Sequence, residues 1–340
     1  MSVQPFTGGD AEWNEWIRQA QGSTFCHLAE WREIMRDVLG HEPVYTIATN
    51  ADGSRAGALP MVFVRSRLFG RYLLSMPFLN YGGPLGTPAA QRQLVEHAVG
   101  EARSRKVGLL ELRSRIRIPS DLPVSERKVT VTLPLPATTQ ELWSTTFRAK
   151  LRSQVRRPIK AGMTARFGAD QVEPFYEVFT SNMRDLGTPV LPRMWFERIA
   201  TALSDHVEFC TVWLDDQPVA AGCGFVWNEE FEITWASSLR EHNRSAPNML
   251  LYSAFMERMI ERGVKVFNFG RCTPGGGTHR FKLQWGGVDE PLPWAQWSPA
   301  GVAATPSPES PIFRAATAAW QRLPLRVANR LGPLLARGLP

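Results

Sequence analysis

The stretch FGRCTPGGGTHRFKLQWGG (residues 269–287) gathers residue types that do chemistry: a cysteine, a histidine, three consecutive glycines and the run Arg280-Phe281-Lys282. A nucleotide-phosphate loop needs G-x-x-x-x-G-K-[ST] between strand and helix. Here Gly275-Gly276-Gly277 is followed by Thr278-His279-Arg280-Phe281-Lys282, with the lysine misplaced and no Ser or Thr after it, so NTP hydrolysis is not expected. Cys272 and His279 lie seven residues apart across the glycines, a spacing that does not by itself assemble a thiolate–imidazole pair. The six histidines are scattered, without H-E-x-x-H or i,i+4 pairing, and no metal is expected. What remains is a glycine turn that tolerates positive φ and lets a bulky ligand approach the backbone. Lys282, just beyond it, can set a point charge against a developing oxyanion. Trp285 reads as core packing beside Gly286. Arg271 ends a strand at the carboxyl edge of its sheet, where open α/β sheets place ligands.

A second concentration of chemistry is FRAKLRSQVRRPIKAGMTAR (147–166), with seven basic residues and no acidic one. Phe147, Leu151 and Val155 recur every four residues and give a helix one packing face. Arg148, Arg152 and Arg156 form a basic stripe beside it, with Lys150 adding to the charge. Like charges without acidic relief repel one another, which favours an anion site over a merely solvated face. Pro158 is expected to end or kink this helix.

The elements that must position these residues repeat along the chain. Residues 44–78 read strand, Asp-Gly turn, strand, basic turn, strand; residues 207–236 have the same rhythm, with turns at Asp215-Asp216 and Asn228-Glu229. Each meander leads through a loop into a helix (94–106; 250–263) and a further strand (107–115; 264–271). Leu94, Ala98 and Glu101 match Leu250, Ala254 and Glu257 at constant offset, and Val107 matches Val264 after a one-residue slip. Helices around 13–20 and 29–40 precede the first meander, and helices near 172–185 and 192–204 precede the second. The expectation is two α/β (α+β) units in tandem, each a mixed β-sheet flanked by helices: 1–146, and 147–297 beginning with the basic helix. A Pro/Ser/Ala linker (298–311) and a basic amphipathic segment (312–340) follow. That segment carries five arginines and no acid, and reads either as a membrane-surface helix or as a helix docked on the first domain.

Bulk properties agree with a folded chain. At 340 residues, 44% hydrophobic and 21% charged, it is neither disordered nor too small for a sizeable core. Four widely spaced cysteines without a C-x-x-C pair argue against a disulfide framework or zinc site. No signal-peptide pattern and no apolar run of transmembrane length are evident, so a cytoplasmic protein is expected. The net charge of +7 invites an anionic partner.

The segments NYGGPLG (80–86), FRAKLRSQVRR (147–157), NMRDLGTPVLPRMWF (182–196), SAPNMLLYSAFMERMIERGVKVFNFGR (245–271) and RFKLQWG (280–286) carry a resemblance. In order and local pattern the chain resembles the FemAB family of aminoacyl-tRNA-dependent transferases, and more narrowly its exosortase-associated members. The resemblance implies two acyltransferase domains of the GNAT fold. It implies a tRNA partner that delivers the aminoacyl group, a nucleotide- or lipid-linked envelope precursor such as one for peptidoglycan as acceptor, and no metal or other cofactor. By the family's Phe-Lys pair, Phe281 and Lys282 are the catalytic residues, with Lys282 stabilising the oxyanion as an amine attacks the aminoacyl ester. Arg148, Lys150, Arg152 and Arg156 match the phosphate-contacting helix. The donor end falls to Asn248, Arg271, Gly275, Gly276, Gly277 and Arg280.

The rival on the same fold is an N-acyltransferase using acetyl- or acyl-CoA or an acyl carrier protein. Its pyrophosphate needs glycine amides ahead of the long helix, whereas HNRSAPNMLLY (242–252) has no glycine, Pro247 lacks a donor, and Asn248 reads as an N-cap. YGGPLG leaves that cofactor open in the first unit. A non-catalytic basic module at the inner face of the membrane explains the charge but not RFKLQWG. A monomer is expected, since tandem units satisfy both sheets within one chain.

Overall fold

The computed structural model describes residues 1–301 and 311–339, and the chain divides into two compact units. Unit 1 comprises Met1–Lys128, Pro291–Pro306 and Arg337–Pro340; unit 2 comprises Val129–Glu290 and Ser307–Ala336.

Unit 1 contains β1 (Ser2–Pro5), β2 (Glu42–Thr49), β3 (Arg55–Ser66), β4 (Gly70–Leu74), β5 (Leu85–Gly86), β6 (Leu109–Leu112) and β7 (Val124–Ser125). The hairpin of β2 and β3 closes over Asp52-Gly53, where Gly53 has φ +86°. Helix Pro88–Ser104 is capped by Thr87, whose side chain accepts from the Ala90 N–H at 3.2 Å. It buries Leu94, Val95, Ala98 and Ala102, and β6 returns parallel to β4.

Unit 2 contains β8 (Val129–Pro134), β9 (Thr164–Phe167), β10 (Val207–Leu214), β11 (Gln217–Trp227), β12 (Glu230–Ser238), β13 (Val266–Cys272) and β14 (Val288–Pro291). Asp215 and Asn228 hold the two hairpin turns at φ +53° and +52°, a left-handed conformation that Asp and Asn tolerate best among non-glycine residues. Helices Val172–Leu186 and Arg193–Ala202 precede the meander, and the long helix Pro247–Glu261 links β12 to the parallel strand β13. The chain then returns to unit 1 as β15 (Trp294–Trp297).

The sheet orders are β1-β2-β3-β4-β6-β15-β7, with β5 beside β3, and β9-β10-β11-β12-β13-β8-β14. They correspond place by place, so the duplication is a duplication of fold. The sixth place breaks with chain order: β8 follows unit 1 in sequence yet pairs with β13, and β15 follows unit 2 yet pairs with β6. Val129, Val131 and Leu133 of β8 enter the hydrophobic core of unit 2, while Thr130 and Thr132 alternate to the other face. This crossing moves the expected boundary. Residues 129–146 belong with unit 2 and 291–297 with unit 1, because strand pairing rather than chain position decides membership.

Two further expectations change. Helix Ala149–Lys160 runs two residues beyond Pro158, which lies in its last turn; Phe147, Leu151 and Val155 are buried as their spacing predicts. Most of the 298–311 linker lies outside the described residues, and so does the side chain of Ile312. The tail forms helices Pro311–Gln321 and Leu325–Ala336, broken at Pro324, and both pack on helix Val172–Leu186 of unit 2 rather than on the first domain. Arg184 donates to the Leu323 carbonyl at 3.3 Å and Gln321 to the Asp185 carbonyl at 3.1 Å.

Candidate functional site

Strands β12 and β13 run parallel but share register at only three positions: Glu230 with Val266, Phe231 with Phe267, and Glu232 with Asn268. Beyond these, β12 continues against β11 and β13 against β8, so the carboxyl ends of the two strands part. Such a fork at the carboxyl ends of parallel strands is where α/β sheets hold ligands.

Buried polar side chains collect there. Asn268 (0% exposed) accepts at Oδ1 from the Thr130 hydroxyl (2.6 Å) and the Gly270 N–H (2.8 Å). Its Nδ2 donates to Glu230 Oε1 at 2.7 Å and to Glu232 Oε2 at 3.5 Å. Glu232 (1% exposed) also accepts from the Thr234 hydroxyl at 3.1 Å. Gly270, at φ +69°, lies in the irregularity where β13 slips register against β8 between Asn268 and Arg271. A bulge leaves backbone groups outside the ladder, and the Gly270 and Arg271 carbonyls accept from Lys282 Nζ at 2.5 and 3.0 Å.

Lys282 is 3% exposed and sits on the short helix Gly277–Leu283, which the glycine run had concealed as a turn. Burial pushes its pKa down from 10.5 to about 8, partly offset by Cys272 and Glu232 nearby. An ammonium has three N–H donors, and two are committed to carbonyls. The same helix turns Phe281 onto Tyr252 (ring centroids 5.0 Å apart) and toward Trp285 (6.2 Å), so Phe281 holds the helix in place by aromatic packing. Trp285 is core, packed on Phe147 and Tyr252 as expected.

The glycine turn is clamped at one end and open at the other. Gly275, at φ +79°, donates its N–H to His279 Nδ1 (3.0 Å) and accepts at its carbonyl from Arg280 (2.8 Å). His279 Nε2 faces both carboxylate oxygens of Asp289 at 2.9 Å. With both ring nitrogens engaged, His279 is no partner for the buried Cys272. A Cβ on Gly277 would meet nothing within 4 Å, and one on Gly276 only the Thr273 carbonyl at 3.3 Å. The glycines of YGGPLG behave oppositely. A Cβ on Gly86 would lie 2.1 Å from the Ala56 carbonyl oxygen, one on Gly83 2.9 Å from that of Arg113, and one on Gly82 2.6 Å from the Met76 side chain. Close packing of unit 1 therefore requires glycine at these three positions.

The remaining expected residues divide. Arg148, Lys150 and Arg156 are exposed on the basic helix, Arg156 over the Trp143 ring at 5.6 Å. Arg152 is half-buried, and its Nη1 donates to the Phe147 (2.6 Å) and Trp143 (3.3 Å) carbonyls, closing the end of the preceding turn. Asn248 is not the N-cap. Ala246 holds that place at φ +57°, and Asn248 donates instead to the Ser238 hydroxyl at 3.0 Å. Arg271 contributes its carbonyl to Lys282 and pairs with Thr130 in the ladder. No group of three metal-ligating side chains occurs among the described residues.

Sequence reading missed Thr130, Glu232, Asn268 and Asp289. Asn268 lies in the FNFGR segment, but its Thr130 partner is 138 residues away, beyond any local pattern. The alternation of VTVTLP was the one signal that Thr130 lies on a strand.

Residues 145–283 match the family model described as an acetyltransferase (GNAT) domain. No curated protein sequence matches the chain. Among solved structures it is similar to FemX, at 14% identity and TM-score 0.65 over 88% of this chain and 97% of that one. It is similar to L-PGS from Bacillus licheniformis, at 11% and 0.55 over 93% and 98% of the two chains. It also resembles a tandem GNAT protein from the clavulanic acid biosynthesis pathway, at 14% and 0.54 over 90% and 99%. The matched stretch lies within unit 2 and is a domain of the acetyltransferase (GNAT) type. The two units of the protein are tandem GNAT-like domains.

Proposed function

We propose that the protein transfers an aminoacyl group from aminoacyl-tRNA to an amine of an anionic, nucleotide- or lipid-linked cell-envelope precursor. The acceptor nitrogen attacks the ester carbonyl, a C–N bond forms, and the carbonyl oxygen becomes an oxyanion. Collapse breaks the ester C–O bond; the amine loses a proton and the 3′ oxygen of the tRNA gains one. An ester is already activated, so positioning and oxyanion stabilisation suffice without a protein nucleophile.

The observation that carries this reading is the buried Lys282 ammonium at the fork, with two donors on carbonyls and one left for the reacting oxygen. Exposed Arg148, Lys150 and Arg156 supply cationic contacts for phosphate, whether of the tRNA or of the acceptor. The acyl-CoA alternative is disfavoured at the start of helix Pro247–Glu261. There the Ala246 N–H is bonded to the Asn243 carbonyl (3.1 Å), Pro247 has none, and the Met249 N–H is bonded to the Ala246 carbonyl (2.9 Å). A pyrophosphate would find these backbone donors committed. The acceptor class rests on the family resemblance carried by FNFGR and RFKLQWG, and membership of an exosortase-associated branch on that of RDLGTP (184–189).

The test is a gel-shift titration with charged tRNA, uncharged tRNA and acetyl-CoA as competitor at two salt concentrations. Preference for charged tRNA, weakened by salt as phosphate contacts require, supports the proposal. Binding of acetyl-CoA with indifference to charged tRNA refutes it.

A further inference from the structure

We propose that helix Leu325–Ala336 is a docking face for an anionic lipid surface. The helix turns its small residues toward the protein: Ala328, Gly332 and Ala336, four residues apart, are buried. A Cβ on Gly332 would lie 2.9 Å from the Val190 backbone nitrogen, so the close approach requires glycine. Three large aliphatic residues are left outside, while Leu325 and Leu335 are half-buried. Val327, Leu331 and Leu334 are 40%, 41% and 56% exposed, and their i, i+4, i+7 spacing places them on one stripe. Arg326 and Arg330, both exposed, run along the edge of that stripe.

This inverts the usual arrangement, in which a surface helix packs its large apolar residues inward. It matches the chemistry of an interfacial helix, with aliphatic side chains entering the acyl boundary and arginines at the headgroups. The charge selects among occupants. Residues 312–340 hold five arginines and no acid, so a second copy on this face would set arginines against arginines. A nucleic acid would meet the arginines but gain nothing from the three aliphatic side chains. No helix among the described residues is long and apolar enough to cross a membrane, so contact through this face is peripheral.

The test is co-sedimentation of the full chain with vesicles of phosphatidylcholine alone and of phosphatidylcholine with phosphatidylglycerol, at low and high salt. Binding to the anionic vesicles only, weakened by salt, is expected. Leu331→Ser/Leu334→Ser alters exposed positions and should leave the melting temperature unchanged while lowering vesicle affinity at least tenfold. Each of Arg326→Gln and Arg330→Gln should lower it about fivefold. Absence of binding at low salt overturns the proposal. So does undiminished binding by the Leu331→Ser/Leu334→Ser protein, which would move the contact to other basic residues. Self-association abolished by that variant without vesicle binding would also overturn it, in favour of a second copy.

Discussion

Replacing Lys282 by methionine separates a buried cation from a side chain that merely fills space. Methionine keeps similar length and removes the charge. The fall from 10.5 to about 8 means that folding disfavours the charged form; at about 1.4 kcal/mol per factor of ten, that is about 3 kcal/mol. Methionine relieves this cost but leaves the Gly270 and Arg271 carbonyls without their donor, at about 1–3 kcal/mol. The two effects nearly cancel at pH 7, so the variant should fold. The pH dependence does not cancel. Between pH 8 and 10.5 the unfolded chain holds a proton that the folded protein has released, so wild-type stability rises with pH relative to the variant. Below pH 8 both states hold the proton and the difference is flat. Linkage gives a relative gain of about 2 kcal/mol from pH 7 to pH 9.5. Urea denaturation of both proteins at pH 7, 8.5 and 9.5 measures it, since groups common to both subtract out. A flat difference, or a wild type that loses relative stability as pH rises, refutes the account of Lys282 as a desolvated ammonium. If the ammonium also holds the oxyanion, transfer is absent in the variant, and wild-type transfer falls as pH rises through about 8.

Asn268→Ala strips partners from the Thr130 hydroxyl and the Gly270 N–H inside the fork. It should cost about 1–3 kcal/mol for each group left unsatisfied, read as a lower urea midpoint. Gly86→Ala should destabilise unit 1 severely, because the new methyl meets the Ala56 carbonyl at 2.1 Å. Gly277→Ala, in open space at the start of a helix, should leave stability equal or up to about 1 kcal/mol higher; calorimetry on the two proteins distinguishes a packed glycine from an open one. A fragment spanning 147–297 lacks β8 and with it the partner strand of β13. It should be protease-sensitive and lack a cooperative transition, whereas a fragment spanning 129–290 should be more resistant in limited proteolysis.

Much of the architecture was legible locally. Hairpins betray themselves through Asp, Asn and Gly at turns, and helices through a 3.6-residue period. Both meanders and the helices at 88–104, 149–160 and 247–261 therefore stood close to where pattern placed them. Short strands have no such signature. β9, β14 and β15 span four residues each and exist because neighbours complete their hydrogen bonds. The helix at 277–283 was hidden because three glycines at its threshold argue for a turn, while the His279–Asp289 and Arg280–Gly275 bonds that fasten it reach across five to ten residues.

The amino-acid sequence by itself made legible the duplication, the basic run at 147–166 and Lys282 as a candidate, since each is marked by residue type and spacing along a short stretch. Tertiary structure alone decided that β8 and β15 cross between the units, that Arg152 Nη1 is bonded to backbone carbonyls, and that Gly277 stands in open space while Gly82, Gly83 and Gly86 are crowded. It also assembled Thr130, Glu232 and Asn268 around the bulge that holds Lys282. The physical reason is common to all four. Burial, desolvation and strand pairing are properties of groups brought together from distant parts of the chain, and a pKa pushed down to about 8 exists only once those groups have excluded water from around the ammonium.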